Sequence, residues 1–173
     1  YIPKKLKKLG LSDNLLRSHI AWDIGAKNFT VKLTKEMNQC FFYCNFSRLI
    51  IDPNRTFESK DLIVSKSDEI LIPGNTNLKP KDIKSRINKF YIPYHKSLNE
   101  FINLKKKTKK KIFLVAIHSF TKKMNNLNRA VEIGLLSGKN MDLLLKIQKK
   151  LLNKKIHLGR NYPYSGFFYN STL

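Results

Sequence analysis

Acidic side chains are scarce in this chain. Asp and Glu number 12 against 34 Lys and Arg, a formal net charge of +22. Other things are missing as well. No apolar run approaches the roughly 20 residues needed to cross a bilayer, and the N-terminus has no apolar h-region of a signal peptide. Cysteine is limited to Cys40 and Cys44. Two thiols so near each other on one predicted strand are poorly placed to bridge, so the setting is read as reducing and cytoplasmic. No zinc-finger spacing, RNP pattern, Gly-rich phosphate loop or internal repeat accompanies the positive charge. Without them, the charge reports attraction to nucleic acid that is non-specific at most. Lysines spread along the chain beside many Asn and Ile, a compositional drift that explains the balance equally well.

What is present is a globular composition. Hydrophobic residues make up 42% and aromatics 11% of 173 residues, enough for one domain with a core and too short for two comfortable ones. Residues 11–38 carry a broken apolar stripe behind Ser12 or Asp13 as N-cap and predict a long helix. The aromatic-rich segment 39–46 predicts a strand, and Asp52-Pro53-Asn54 a turn after a short apolar piece. Segment 56–79 is read as irregular. Helices follow over 79–90, with Pro80 in the first turn, and 91–107, the path broken or kinked at Pro93. The basic run 105–111 reads as a solvated connection to a central buried strand at 111–117. A second strand at 130–136, an amphipathic helix at 140–153 and a loop at 161–166 complete the pattern. Alternating helices and strands with long crossovers predict an α/β fold with a mostly parallel sheet.

In such folds the working groups gather at the carboxyl ends of strands. His118 stands there, suited to ligate a metal or move a proton, or simply to close the strand with a hydrogen bond. His19 and Asp23, four apart on the predicted helix, can share a metal, orient one another, or form a surface pair. Arg48, Asn54 and Arg55 surround a turn and can clamp a carboxylate, with Asp52 as a rival partner for either arginine. His95, at the start of a helix, is on its own more often structural than catalytic.

Six short segments in order carry a family resemblance: "SHIAWDIGA" (18–26), "SRLIIDPNR" (47–55), "IPGN" (72–75), "YIPYH" (91–95), "IHSFT" (117–121) and "NYPYSG" (161–166). Together they resemble the N-formylglutamate amidohydrolases. The resemblance implies a three-layer α/β/α domain similar to zinc carboxypeptidases. It also implies a zinc-dependent hydrolase that releases formate from N-formyl-L-glutamate or a related N-acyl amino acid. Carried onto this chain, it makes His118, Asp23 and His19 metal ligands or their immediate support. Arg48, Asn54, Arg55, Asn161 and Tyr164 become substrate-binding residues, and His95 joins His118 among the catalytic ones. Metal-activated water would attack the formyl carbonyl, with a carboxylate as general base. An upstream Glu/Asp-His-Ala-Ser-Asn motif and a late Glu-Ile-Arg-like stretch typical of the family are absent, and Lys122 replaces a preferred proline. The expectation is therefore one domain over 1–173, incomplete at both termini, with impaired catalysis; the alternative is a non-catalytic basic remnant that binds nucleic acid non-specifically.

Overall fold

A computed structural model describes residues 1–108, 111–124, 127–138 and 141–166. Lys109 and Lys110 of the basic run, Asn140 at the start of the last predicted helix, and the terminal segment 167–173 lie outside the described residues. The chain divides into two compact units, the first Tyr1–Phe120 and the second beginning at Thr121. The described residues form a mixed helix–strand architecture. Its strands make three separate two-stranded sheets, two antiparallel and one parallel. No helix among the described residues is long and apolar enough to cross a membrane.

The first unit opens on a tight turn, Lys4–Gly10, and a short helix α1, Asp13–Leu16, whose first turn is capped by Ser12 accepting from the Leu15 amide. The single helix predicted over 11–38 does not form. Helix α2 begins only at Ala26 and runs Ala26–Glu36. The reason is tertiary. In a continuous helix the Ala21 carbonyl would accept from residue 25; here it accepts from the Ser47 hydroxyl at 2.8 Å and the Arg48 amide at 3.3 Å. That contact docks the 18–26 segment onto the 47–55 segment and turns the chain between the two helices.

Segment 39–46 forms no strand pairing among the described residues. Its residues 41–46 nonetheless alternate in exposure. Phe42 packs on Tyr94 and Phe101 and Phe46 on Phe90, while Phe41 and Tyr43 stay exposed. The surface it covers is one helical stretch built from α3, Pro80–Arg86, a π-helical turn, Ile87–Tyr91, and α4, Ile92–Thr108. Pro93 therefore does not break the helix. A proline lacks the amide that would pair four residues back. The widened turn, with the Ile92 amide bonded to the Ile87 carbonyl five residues back, absorbs the defect just ahead of it.

The core of this unit centres on Leu49, Ile50 and Ile51, packed with Leu9, Leu11, Ile20, Leu62 and Ile72. These three residues belong to no helix or strand, so their backbone groups need other partners. Asn75 Nδ2 donates to the carbonyls of Leu49 (2.8 Å) and Val64 (2.7 Å). Arg86 Nη1 donates to the Ile50 carbonyl (2.9 Å) and to Asn75 Oδ1 (2.6 Å). A small hairpin pairs β1, Lys66–Ser67, with β2, Ile70–Leu71, around Asp68 and Glu69 at φ 46° and 63°, the signs a two-residue type I′ turn requires.

The predicted central strand 111–117 is mostly exposed and carries no strand pairing among the described residues. A parallel strand is stabilised by ladders on its edges and cover on its faces, and the described residues supply neither. In the second unit, β3, Lys123–Met124, pairs antiparallel with β4, Leu127–Asn128. Strand β5, Ile133–Leu135, pairs parallel with β6, Leu158–Arg160, through α5, Asp142–Leu151, as crossover. Strand β5 and helix α5 lie where the sequence predicts them; β6 was not foreseen, being three residues next to a loop signal. Gly134 and Gly159 face each other in this pair, and a Cβ on either would come within 2.6 Å of the Tyr162 carbonyl oxygen. The parallel pair of β5 and β6 is the portion of the expected parallel sheet that the described residues form.

Candidate active site

The turn Asp52-Pro53-Asn54-Arg55 is built from within. The Asp52 carboxylate is largely buried; its Oδ1 accepts from the Asn54 amide at 2.9 Å, an Asx turn. Its Oδ2 takes Arg48 Nη2 at 2.8 Å and lies 3.9 Å from Arg55 Nε. One carboxylate thus holds two guanidinium groups. The arginines line a cleft of about 250 Å3 with Ile20, Asp61, Val64 and Ser67.

Helix α4 and the π-helical turn before it secure this turn from behind. The Tyr91 hydroxyl donates to the Arg55 carbonyl at 2.8 Å. His95 hydrogen-bonds the Pro53 carbonyl, and its buried Nε2 has no hydrogen-bond partner among the described residues, so Nδ1 is the donor. Its ring lies 4.3 Å from that of Tyr91 and 5.2 Å edge-on to Tyr94. Burial lowers the His95 pKa, opposed by the bond to Pro53. Burial also pushes the Cys44 thiol up to about 11 and the Tyr94 hydroxyl up to about 12. His95 does not line the cleft; it holds the backbone that carries Arg55.

Two histidine–carboxylate pairs complete the first unit. His118 Nδ1 meets Asp23 Oδ2 at 2.6 Å, with the imidazole about half exposed. A carboxylate only accepts, so Nδ1 carries the proton and the Nε2 lone pair is left for another partner. His19 Nε2 meets Asp68 Oδ2 at 2.6 Å. The helix that would set His19 beside Asp23 is absent, and each finds a partner distant in sequence instead. Ile20 and Ser67, in the cleft wall, are chain neighbours of His19 and Asp68.

The three predicted metal ligands therefore separate into two pairs. Among the described residues no group of three His, Cys, Asp or Glu side chains comes together. The donor chemistry of the Asp23–His118 pair nevertheless fits zinc: an imidazole with one nitrogen held by a carboxylate is a common ligand arrangement. Asn161 and Tyr164 belong to the second unit. There Asn161 Oδ1 accepts from the Ser137 amide at 2.9 Å, and the Tyr164 hydroxyl accepts from Arg129 at 2.7 Å, the guanidinium also lying over the ring. Sequence reasoning missed Asp68. The signal was an acidic dipeptide between "VSKS" and "ILIP", a hairpin tip, within a segment read as irregular.

A family model described as N-formylglutamate amidohydrolase matches residues 1–173. Among solved structures, the crystal structure of gene product Atu2144 from Agrobacterium tumefaciens is similar at a TM-score of 0.91 and 34% sequence identity. That match covers 95% of this chain and 66% of the Agrobacterium chain. No curated protein matches significantly.

Proposed function

The chain belongs to the N-formylglutamate amidohydrolase family, and from that premise we propose that it is a zinc-dependent hydrolase of N-formyl-L-glutamate or a related N-acyl amino acid. The observation that carries the reading is the paired-arginine cleft, which presents two guanidinium groups from one carboxylate anchor in a segment of the family's sequence. A substrate with carboxylates beside its scissile amide calls for such donors. Arg48 and Arg55 hold the substrate carboxylate, with Asn54 beside them; Tyr91 and His95 are positioning residues that keep the turn in place.

His118 would hold the zinc, with Asp23 and His19 as its immediate support; the ion, when bound, supplies an activated water and polarises the formyl oxygen. Asp23 fixes the His118 tautomer and keeps its Nε2 as the donor nitrogen. The products are formate and glutamate, the proton from water passing to the departing amine. A three-layer α/β/α architecture goes with this reading. It is supported by the apolar run at 112–117, which has the composition of a doubly covered strand. The free thiols of Cys40 and Cys44 support a reducing, cytoplasmic setting.

The test is zinc content by mass spectrometry and formate release from N-formyl-L-glutamate, with His118→Ala and Arg55→Met as variants. The reading predicts stoichiometric zinc that falls away in His118→Ala. It also predicts a rise in KM of about tenfold or more in Arg55→Met with zinc retained. A folded chain that binds no zinc and releases no formate would overturn it.

A further inference from the structure

A second, larger cleft of about 440 Å3 lies in the first unit between the Lys4–Gly10 turn and the helical stretch around Arg86 and Lys89. It shares no lining residue with the arginine cleft described above. Lys5, Lys7, Arg86 and Lys89 line it against one acid, Asp82, with the Ser85 hydroxyl among them.

Three features mark this cleft. The first is Arg86, only 5% exposed, whose guanidinium donates to the Ile50 carbonyl, Asn75 Oδ1 and, at 2.8 Å, the Gly74 carbonyl. All three are neutral oxygens. Asp82 is the acid whose charge reaches it, without a direct bond, and burial lowers its pKa. A buried cation without an opposite charge in contact is stabilised by an anion brought alongside. The second is the Lys5–Lys89 pair, two ammonium groups near enough for Lys89 to hold Lys5 below the usual lysine range. Like charges so placed repel, and an anion between them converts repulsion into two charge-assisted bonds. The third is the wall itself. Lys7, Lys8 and Leu9 stand in succession at φ 45°, 54° and 55°, conformations that side chains other than glycine rarely adopt. Burial of Leu9 holds the turn down, and it needs glycine opposite: a Cβ on Gly74 would lie 2.7 Å from Leu9 Cα. The turn delivers Lys5 and Lys7 to the cleft.

We propose that this cleft binds a small molecule bearing a phosphate or pyrophosphate group. Lys5 and Lys89 contact the phosphate oxygens from the rim and Arg86 provides the buried positive floor. The volume suits a small ligand, and the donor set suits a compact polyanion over a single carboxylate.

In a chain of +22, net charge must be separated from a site. Titration calorimetry in about 0.1 M salt, where charges beyond about 10 Å are screened, would compare inorganic pyrophosphate with phenyl phosphate as a phosphate ester. The parent chain is expected to bind at one saturable site. Tighter binding of pyrophosphate would point to a free inorganic ion, and tighter binding of phenyl phosphate to an organic ester. The double variant Lys5→Gln/Lys89→Gln, both exposed lysines, should bind at least about tenfold more weakly. Lys106→Gln/Lys107→Gln removes the same charge from the end of helix α4 and should bind as the parent does. Amide shift changes in the parent chain should map to the Lys4–Gly10 turn and the helix around Arg86, a readout that needs no variant. Equal weakening in both double variants, scattered shift changes, or no saturable binding to either probe would overturn the proposal.

Discussion

Two apolar runs of similar composition meet opposite fates in the first unit. Leu49–Ile51 is 0–1% exposed, while Ile112, Phe113, Leu114 and Val115 are 36–54% exposed. Hydrophobicity does not separate them. The difference lies in the backbone: Leu49 and Ile50 have their carbonyls taken by Asn75 and Arg86, and the 111–117 segment has no strand partner among the described residues. Burying a run of peptide groups requires a partner for each N–H and C=O. A segment without secondary structure can be buried when long polar side chains reach it, and an apolar strand without neighbours stays in water.

The largest expected effect comes from breaking that supply of donors. Asn75→Leu removes two donors from buried carbonyls and the acceptor of Arg86. It should cost about 4 kcal/mol, read as a lower urea midpoint, since each stranded group costs about 1–3 kcal/mol. An Asn75→Leu protein as stable as the parent would show that side-chain bonding is incidental to burial here.

The two runs themselves can be set against each other. Ile50→Ala should destabilise by about 3 kcal/mol, because it opens a cavity in a packed core. Leu114→Ala should change stability by no more than about 0.5 kcal/mol, its side chain already facing solvent. Similar losses at both positions would mean that the 111–117 run is covered in solution.

A subtler effect concerns the turn that continues the buried run. His95 binds a proton less readily in the folded chain than in the unfolded one, whose histidines titrate near 6.5. On acidification the unfolded chain takes up the proton first. The stability tied to neutral His95 is therefore full above about pH 6.5 and is lost as pH falls from there through the lowered folded value. Urea midpoints measured from pH 7 to pH 5 should fall, and His95→Gln should flatten that dependence. A slope unchanged in the variant would assign it to other groups.

The smallest effect separates the two halves of the site. Asp23→Asn should leave stability within about 0.5 kcal/mol of the parent, since its partner His118 is half exposed. In the proposed zinc site, the same change should weaken metal binding about 10- to 100-fold by loosening the imidazole.

Much of this was legible in the residues. Helix α5, the cap at Ser12 and the turn at 52–55 follow from local pattern, and six motifs in order pointed to the family that the whole chain matches. The site was legible as a set of residue types. The Arg48–Asp52 contact spans one helical spacing and was foreseen as an option; the partners of the histidines were not.

Local sequence determined periodicity, capping, turn chemistry and the identity of the donors. Tertiary structure decided which donor meets which acceptor. His19 reaches Asp68 across 49 residues and His118 reaches Asp23 across 95, and Ser47 ends a predicted helix by taking the Ala21 carbonyl from 26 residues away. Such contacts form only after long loops have closed, and no short window of sequence records that closure. The same holds for burial: composition made both apolar runs fit for a core, and distant polar side chains selected the one that entered it.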